Sequence, residues 1–175
     1  MNNLLVNSRS HEIVRFQQPQ TTRSLKLIVF KIGDLNLALQ IESVYKVVDR
    51  TPIYSSGINH IGVAHLGDRE ITVFDLHWHF FKTSQIRAPE PGGYIVILQN
   101  TPGELYGIPV AETPALIEMP LSAIRLLPES YRRADTLKVA RHVAVIPQAG
   151  ASTTIFLLDV DLLLPILQQV GTLEK

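Results

Sequence analysis

The 175-residue chain is 46% apolar, 18% charged and 7% aromatic, and its sixteen Lys and Arg balance sixteen Asp and Glu. A chain of this size fills one domain, or two small halves with a common core, and it is too apolar for disorder over its full length. Zero net charge argues against a dedicated nucleic-acid binder, and the lack of cysteine removes disulfides, thiolate metal sites and thiol nucleophiles.

Residues 1–24 are polar, with a short apolar patch at Ile13, Val14 and Phe16, and show no sustained period. They read as a flexible leader. The start MNNLLVNSRS lacks the basic-then-apolar order of a secretion signal. Unbroken apolar runs such as Leu27–Phe30 and Ile155–Leu158 fall far short of the ~20 residues that span a bilayer. The expectation is a soluble, cytoplasmic protein.

From Leu25 the pattern is β. Leu27-Ile28-Val29-Phe30 is a continuous apolar run, as expected of a strand buried on both faces. Gly33-Asp34 signals a turn, and residues 35–41 then alternate apolar with small or polar side chains, which completes a hairpin. Further strands are expected at Val44–Val48, Ile61–Leu66, Arg69–Phe74, Tyr94–Leu98, Leu105–Val110, Leu116–Met119, Val139–Ile146 and Thr153–Leu158. Many short strands separated by turn residues point to a barrel or sandwich.

Helix signals are few. Asp75 precedes Leu76-His77-Trp78-His79-Phe80-Phe81 and can cap a short helix there. Asp159 or Asp161 can do the same for residues 162–167, with Pro165 tolerable only near the helix start. The breaker cluster at residues 86–93 divides the chain.

Across that divider the sequence repeats weakly. Strand, Gly33 turn, strand and Ile41, Val44 and Val47 are followed later by strand, Gly103 turn, strand and Val110, Thr113 and Leu116. Val63-Ala64 is echoed by Val139-Ala140, and Phe74-Asp75-Leu76 by Leu158-Asp159-Val160. The pattern predicts two similar β units. Neither hides its apolar strands alone, so they share an interface.

These residues carry a resemblance. Leu27-Ile28-Val29-Phe30-Lys31-Ile32-Gly33, then Leu37-Ala38-Leu39-x-Ile41-x-x-Val44-x-x-Val47, resembles the opening of the CheW-like domain of bacterial chemotaxis adaptors. So do Gly62-Val63-Ala64-His65-Leu66, Val73-Phe74-Asp75-Leu76, Tyr94-Ile95-Val96-Ile97-Leu98, Tyr106-Gly107-Ile108-x-Val110 and the closing Leu157-Leu158-Asp159-Val160-Asp161-x-Leu163. The ordered set spans about residues 25–168.

The resemblance implies a mainly β fold of two SH3-like five-stranded β-barrel subdomains sharing a core, with short helices. Subdomain one would cover about 25–85, subdomain two about 93–158 and a closing helix about 159–168, with 169–175 as a tail. It also implies a non-enzymatic adaptor without a cofactor, coupling the cytoplasmic tip of a methyl-accepting chemoreceptor to the regulatory domain of a CheA-type histidine kinase. Such a protein would be recruited to membrane receptor arrays without entering the bilayer. On this reading Val44, Lys46, Val47, Gly62, Leu66 and Gly107 line partner surfaces. The valines are equally readable as core, and the two glycines as sites of close backbone approach.

Several positions depart from the family pattern. The usual Asn-Leu-Arg-Gly is His65-Leu66-Gly67-Asp68, so an arginine is missing. Lys46 stands for a glutamate, His77 and His79 for two arginines, and Ala111 for an aspartate. Rim charges steer and discriminate partners, so the changes bear on partner choice and not on the fold. An alternative within the fold is a divergent member that binds one partner and tunes or caps the array.

A third reading, of another class, is a small β-barrel metal- or ligand-binding protein using His77, His79 and Asp75. Residues two apart do not share a helical face, which favours surface replacements of the family arginines. Asp159 and Asp161 could pair on a divalent ion, but both suit a helix N-terminus. No nucleophile motif or phosphate-cradling loop occurs. Trp78, Phe80 and Phe81 could form an exposed aromatic anchor or plug one end of a barrel.

Overall fold

The computed structural model describes residues 23–57, 60–84, 86, 92–133 and 138–169. Residues 1–22 of the expected leader, 170–175 of the tail and most of the breaker cluster lie outside the described residues.

Among the described residues, twelve strands form two six-stranded sheets. In chain order they are β1 (Ser24–Ile32), β2 (Leu35–Gln40), β3 (Val44–Asp49), β4 (Ile53–Ser55), β5 (Ile61–Leu66), β6 (Arg69–Phe74), β7 (Tyr94–Gln99), β8 (Leu105–Val110), β9 (Ala115–Pro120), β10 (Ile124–Leu126), β11 (Ala140–Gln148) and β12 (Ala151–Leu158). Three α-helices, α1 (Leu76–Phe81), α2 (Glu129–Arg132) and α3 (Val160–Gln169), and two 3-10 turns at Ile41–Ser43 and Leu121–Ala123 complete the described elements. The fold is mainly β, as expected. Each sheet has six strands where the resemblance implied five, because β4 and β10 are three-residue strands too short to show alternation.

The sheets do not follow the halves of the chain. The first runs β10-β11-β12-β2-β1-β9, and the second, read from its β4 end, runs β4-β5-β6-β8-β7-β3. Adding six to each number of the second order reproduces the first, with numbers counted round from twelve to one. The duplication is therefore a pseudo-two-fold in which each half gives its leading hairpin to the other half's sheet. Hairpin β1–β2 enters through a parallel pairing with β12, with Leu37 beside Phe156 and Ala38 beside Leu157. Hairpin β7–β8 enters through β6, with Tyr106 beside Thr72 and Gly107 beside Val73.

This exchange explains why the two hairpins carry apolar residues on both faces. Side chains alternate along a strand, so each donated hairpin looks into two cores. Leu37 and Leu39 face a core shared by both sheets, while Ala38 faces a smaller core with Leu27, Met119, Ile155 and Leu157. In the other hairpin Val96, Leu98 and Ile108 face the shared core, and Ile95 and Ile97 face a third core with Ala64, Ile71 and Val73. Leu76 and Phe80 of α1 and Leu163, Leu164 and Leu167 of α3 also pack into the shared core.

The register corrects one sequence echo. Ala64 pairs with Ile53 as Ala144 pairs with Ile124, so Val63-Ala64 corresponds to Val143-Ala144 and not to Val139-Ala140. The bulge between Ala140 and His142 accounts for one residue of that four-residue difference. Pro165 is also deeper than expected, in the second turn of α3. It is tolerated because Pro165 and Asp161, whose carbonyl loses its amide partner, are both exposed. Among the described residues no helix is long and apolar enough to cross a membrane.

Candidate functional site

Among the described residues, strand β3 is an edge of its sheet, paired only with β7. Val44 lies opposite Leu98 and Lys46 opposite Ile97, so Tyr45 is the extra residue of a bulge. A bulge breaks the alternation of a strand and re-aims its side chains. Val44 consequently packs on the shared core, whereas Tyr45 (51% exposed), Lys46 and Val47 (36% exposed) are all turned outward. Lys46 extends its ammonium to 5.9 Å from the centroid of the Tyr45 ring. The result is a short apolar strip on a sheet edge with one positive charge above it.

The other expected site residues are distributed differently. Leu66, at the end of β5, is half-buried against the third core. Gly62 and Gly107 are buried and present no side chain to a partner. A Cβ on Gly62 would stand 2.6 Å from Ile53 Cγ2 and 3.0 Å from the Tyr54 carbonyl, where β4 crosses close. One on Gly107 would stand 2.9 Å from Ile95 Cγ2 and 3.1 Å from Val73 Cγ2, inside the third core. The structure therefore gives both glycines the close-approach role. Ala38, the residue equivalent to Gly107 in the other sheet, is likewise small and fully buried.

Sequence reasoning missed part of the surface. Leu116 on β9 faces Ile28 as Val47 faces Val96, and it is 60% exposed. The same three-residue steps that identified Val47 led to Leu116, so the repeat held the signal. Tyr54, Leu121 and Leu126 are also exposed and were not singled out, because isolated apolar residues in three-residue elements have no period to read.

Helix α1 is set by Asp75, as its position before an apolar run predicts. The buried Asp75 carboxylate accepts from Trp78 N at 3.1 Å, from Ser84 Oγ at 2.9 Å and from Ile86 N at 3.1 Å. The aromatic cluster divides. Phe80 enters the shared core, Trp78 stacks on His60, and the partly exposed Phe81 covers Gly33 in the β1–β2 turn. His77 and His79 part as helical spacing requires: His77 Nδ1 lies 2.8 Å from the Thr83 carbonyl oxygen, and His79 turns toward Phe80. Among the described residues no group of three or more His, Asp or Glu is gathered to hold a metal ion.

Asp159 caps α3, its Oδ1 accepting from Asp161 N at 2.9 Å, and pairs with Arg141 Nε at 3.1 Å. The capping contact suits a helix start, and the ion pair to Arg141 engages the other Asp159 carboxylate oxygen. A cleft of about 450 Å³ opens beside them, lined by Gln40, Glu42, Asn100, His142 and Asp161 among others. None of the expected partner residues lines it.

The sequence matches the profile of the CheW-like domain over residues 26–168. No curated protein matches the sequence. Among solved structures, the chain is similar to the scaffolding protein TtCheW from Thermoanaerobacter tengcongensis, with a TM-score of 0.62 and 18% identity, over 82% of this chain and 89% of that one. At that identity the likeness is one of fold.

Proposed function

The chain belongs to the CheW-like domain family, and on that premise we propose that it is a non-enzymatic adaptor coupling methyl-accepting chemoreceptors to a CheA-type histidine kinase. The observation that carries the reading is the bulged edge strand β3, which holds Tyr45, Lys46 and Val47 outward on the family scaffold. An open strand edge with apolar side chains is suited to another barrel or to a receptor helix. Val44 and Leu66 are half-buried, Val44 against the shared core and Leu66 against the third. Gly62 lets β4 approach closely, and Gly107 leaves room for the third core. Residues 25–168 are the working unit, acting in the cytoplasm and recruited to receptor arrays.

Titration calorimetry of the full chain against a cognate kinase regulatory domain and a receptor tip is the direct test. Binding to both, with receptor-dependent stimulation of kinase phosphorylation, is the expected result. Absence of heat with both partners removes the proposal. The exposed Lys46, where the family pattern has an acid, favours a second reading: a member that engages one partner and caps or tunes the array. Binding to kinase alone, or to receptor alone, selects it.

A further inference from the structure

The α1 region holds a cluster of titratable and aromatic groups that the adaptor surface does not use. His60, just before β5, is 4% exposed and stacks on Trp78 with ring centroids 4.2 Å apart and planes at 19°. Lys82 caps the C-terminus of α1 in a left-handed conformation (φ 59°) and holds its ammonium 4.5 Å from the Trp78 ring centroid. His79 meets Phe80 edge-on at 5.2 Å, and its Nε2 is shut from solvent with no hydrogen-bond partner.

The surroundings of His79 suit only a neutral ring. A proton on Nε2 would place a cationic N–H where the described residues offer no acceptor, and burying an unpaired charge is costly. The groups acting on it are Lys82 and His60, and both oppose a positive charge. The nearby acid, Asp75, is committed to Trp78 N, Ser84 and Ile86, and His77 is turned to Thr83. The way to satisfy a protonated His79 is to let its ring reach water, which requires the last turn of α1 to move. That turn also carries Phe81, whose ring covers Gly33 in the hairpin donated to the other sheet.

We propose that α1 is a proton-operated latch: protonation of His79 frees the last turn of the helix from His60 and from the Gly33 turn, loosening the junction between the sheets. The sign follows from linkage. Burial first, then Lys82, then His60 hold the His79 imidazole below its ordinary 6.5. The folded chain thus binds fewer protons than the unfolded one in this range, so the stabilisation is whole above pH 6.5 and is lost as pH falls toward the lowered value.

Trp78 is the single tryptophan, so it reports the latch directly. The full chain is titrated from about pH 7.5 to about pH 5, the interval in which histidines change charge, with Trp fluorescence and amide hydrogen exchange corrected for intrinsic rate. Exchange within α1 is expected to rise below pH 6.5 by up to about tenfold per pH unit, the limit for one linked proton, while β7 and β12 hold steady. His79→Gln should abolish the transition, and Lys82→Gln, by removing an opposing charge and bringing the folded-state value nearer 6.5, should shrink the acid-driven rise in exchange. His60→Phe, which keeps a ring on Trp78, should retain the transition. Exchange that is flat with pH, that rises equally in all strands, or that persists in His79→Gln overturns the latch. Loss of the transition in His60→Phe alone would assign it to His60 and also overturn it. Should His79→Gln fail to fold, Lys82→Gln decides, and an undiminished rise refutes the proposal.

Discussion

Replacing Gly107 by alanine separates packing from partner contact. The new Cβ would meet Ile95 Cγ2 at 2.9 Å, Val73 Cγ2 at 3.1 Å and Ile71 Cδ1 at 3.3 Å. All three side chains are buried and β-branched, so rotation about χ1 offers little relief. Overpacking of this kind costs about 1–3 kcal/mol, and the stiffer unfolded chain offsets about 0.4–1 kcal/mol of it. Central values leave a loss of about 1.3 kcal/mol, which lowers Tm by about 3–5 °C in a chain of this size. Gly62→Ala makes shorter contacts, at 2.6 Å and 3.0 Å, but against β4, a three-residue edge strand that can yield outward. Its loss is expected to be the smaller of the two. Thermal unfolding by circular dichroism gives both shifts, and calorimetry with the kinase regulatory domain below both transitions gives the affinities. The reasoning is refuted if Gly107→Ala keeps its Tm but loses affinity, or if Gly62→Ala is the more damaged variant.

Asp75→Ala removes a helix cap and the charged one of two acceptors of the buried Ile86 amide, which keeps Ser84 Oγ at 3.2 Å, for a combined cost of about 2–4 kcal/mol in urea unfolding. A loss under about 0.5 kcal/mol, the range of a neutral surface change, would show that the cap is dispensable. Leu37→Ala opens the core shared by both sheets and should cost about 2–5 kcal/mol in one cooperative transition. Two separate transitions would mean that the sheets fold independently. Lys46→Glu, on the exposed strip of β3, should leave stability within about 0.5 kcal/mol while changing kinase or receptor affinity. Unchanged affinity for both partners would remove Lys46 from the site.

Much of the architecture was legible because its causes are local. Alternation and β-branched runs placed ten of the twelve strands, since burial repeats every second residue along a strand. Asp75 was readable as a cap because the amide it accepts from lies three residues ahead. The two strands missed, β4 and β10, are too short for a period, and exposed Tyr54 and Leu126 were missed with them. The site was legible to a lesser degree. Val47 and Lys46 emerge at the surface as expected, but the outward turn of Tyr45 depends on a bulge that exists only in the pairing with β7.

By itself, the sequence determined that this chain is a mainly β protein built from a repeated unit, with a first strand apolar on both faces and helices started at Asp75 and at Asp159 or Asp161. Tertiary structure decided which sheet each hairpin joins. Adjacent strands in the chain pair by default, and the parallel contacts of β2 with β12 and of β8 with β6 span separations that no local period encodes. That exchange also gave the glycines their meaning. Gly107 must be small because Ile95, Val73 and Ile71 converge on it from both halves of the chain. The balanced charges likewise acquired places only in the fold, where Lys46 stands on an open edge and Lys82 beside a buried imidazole.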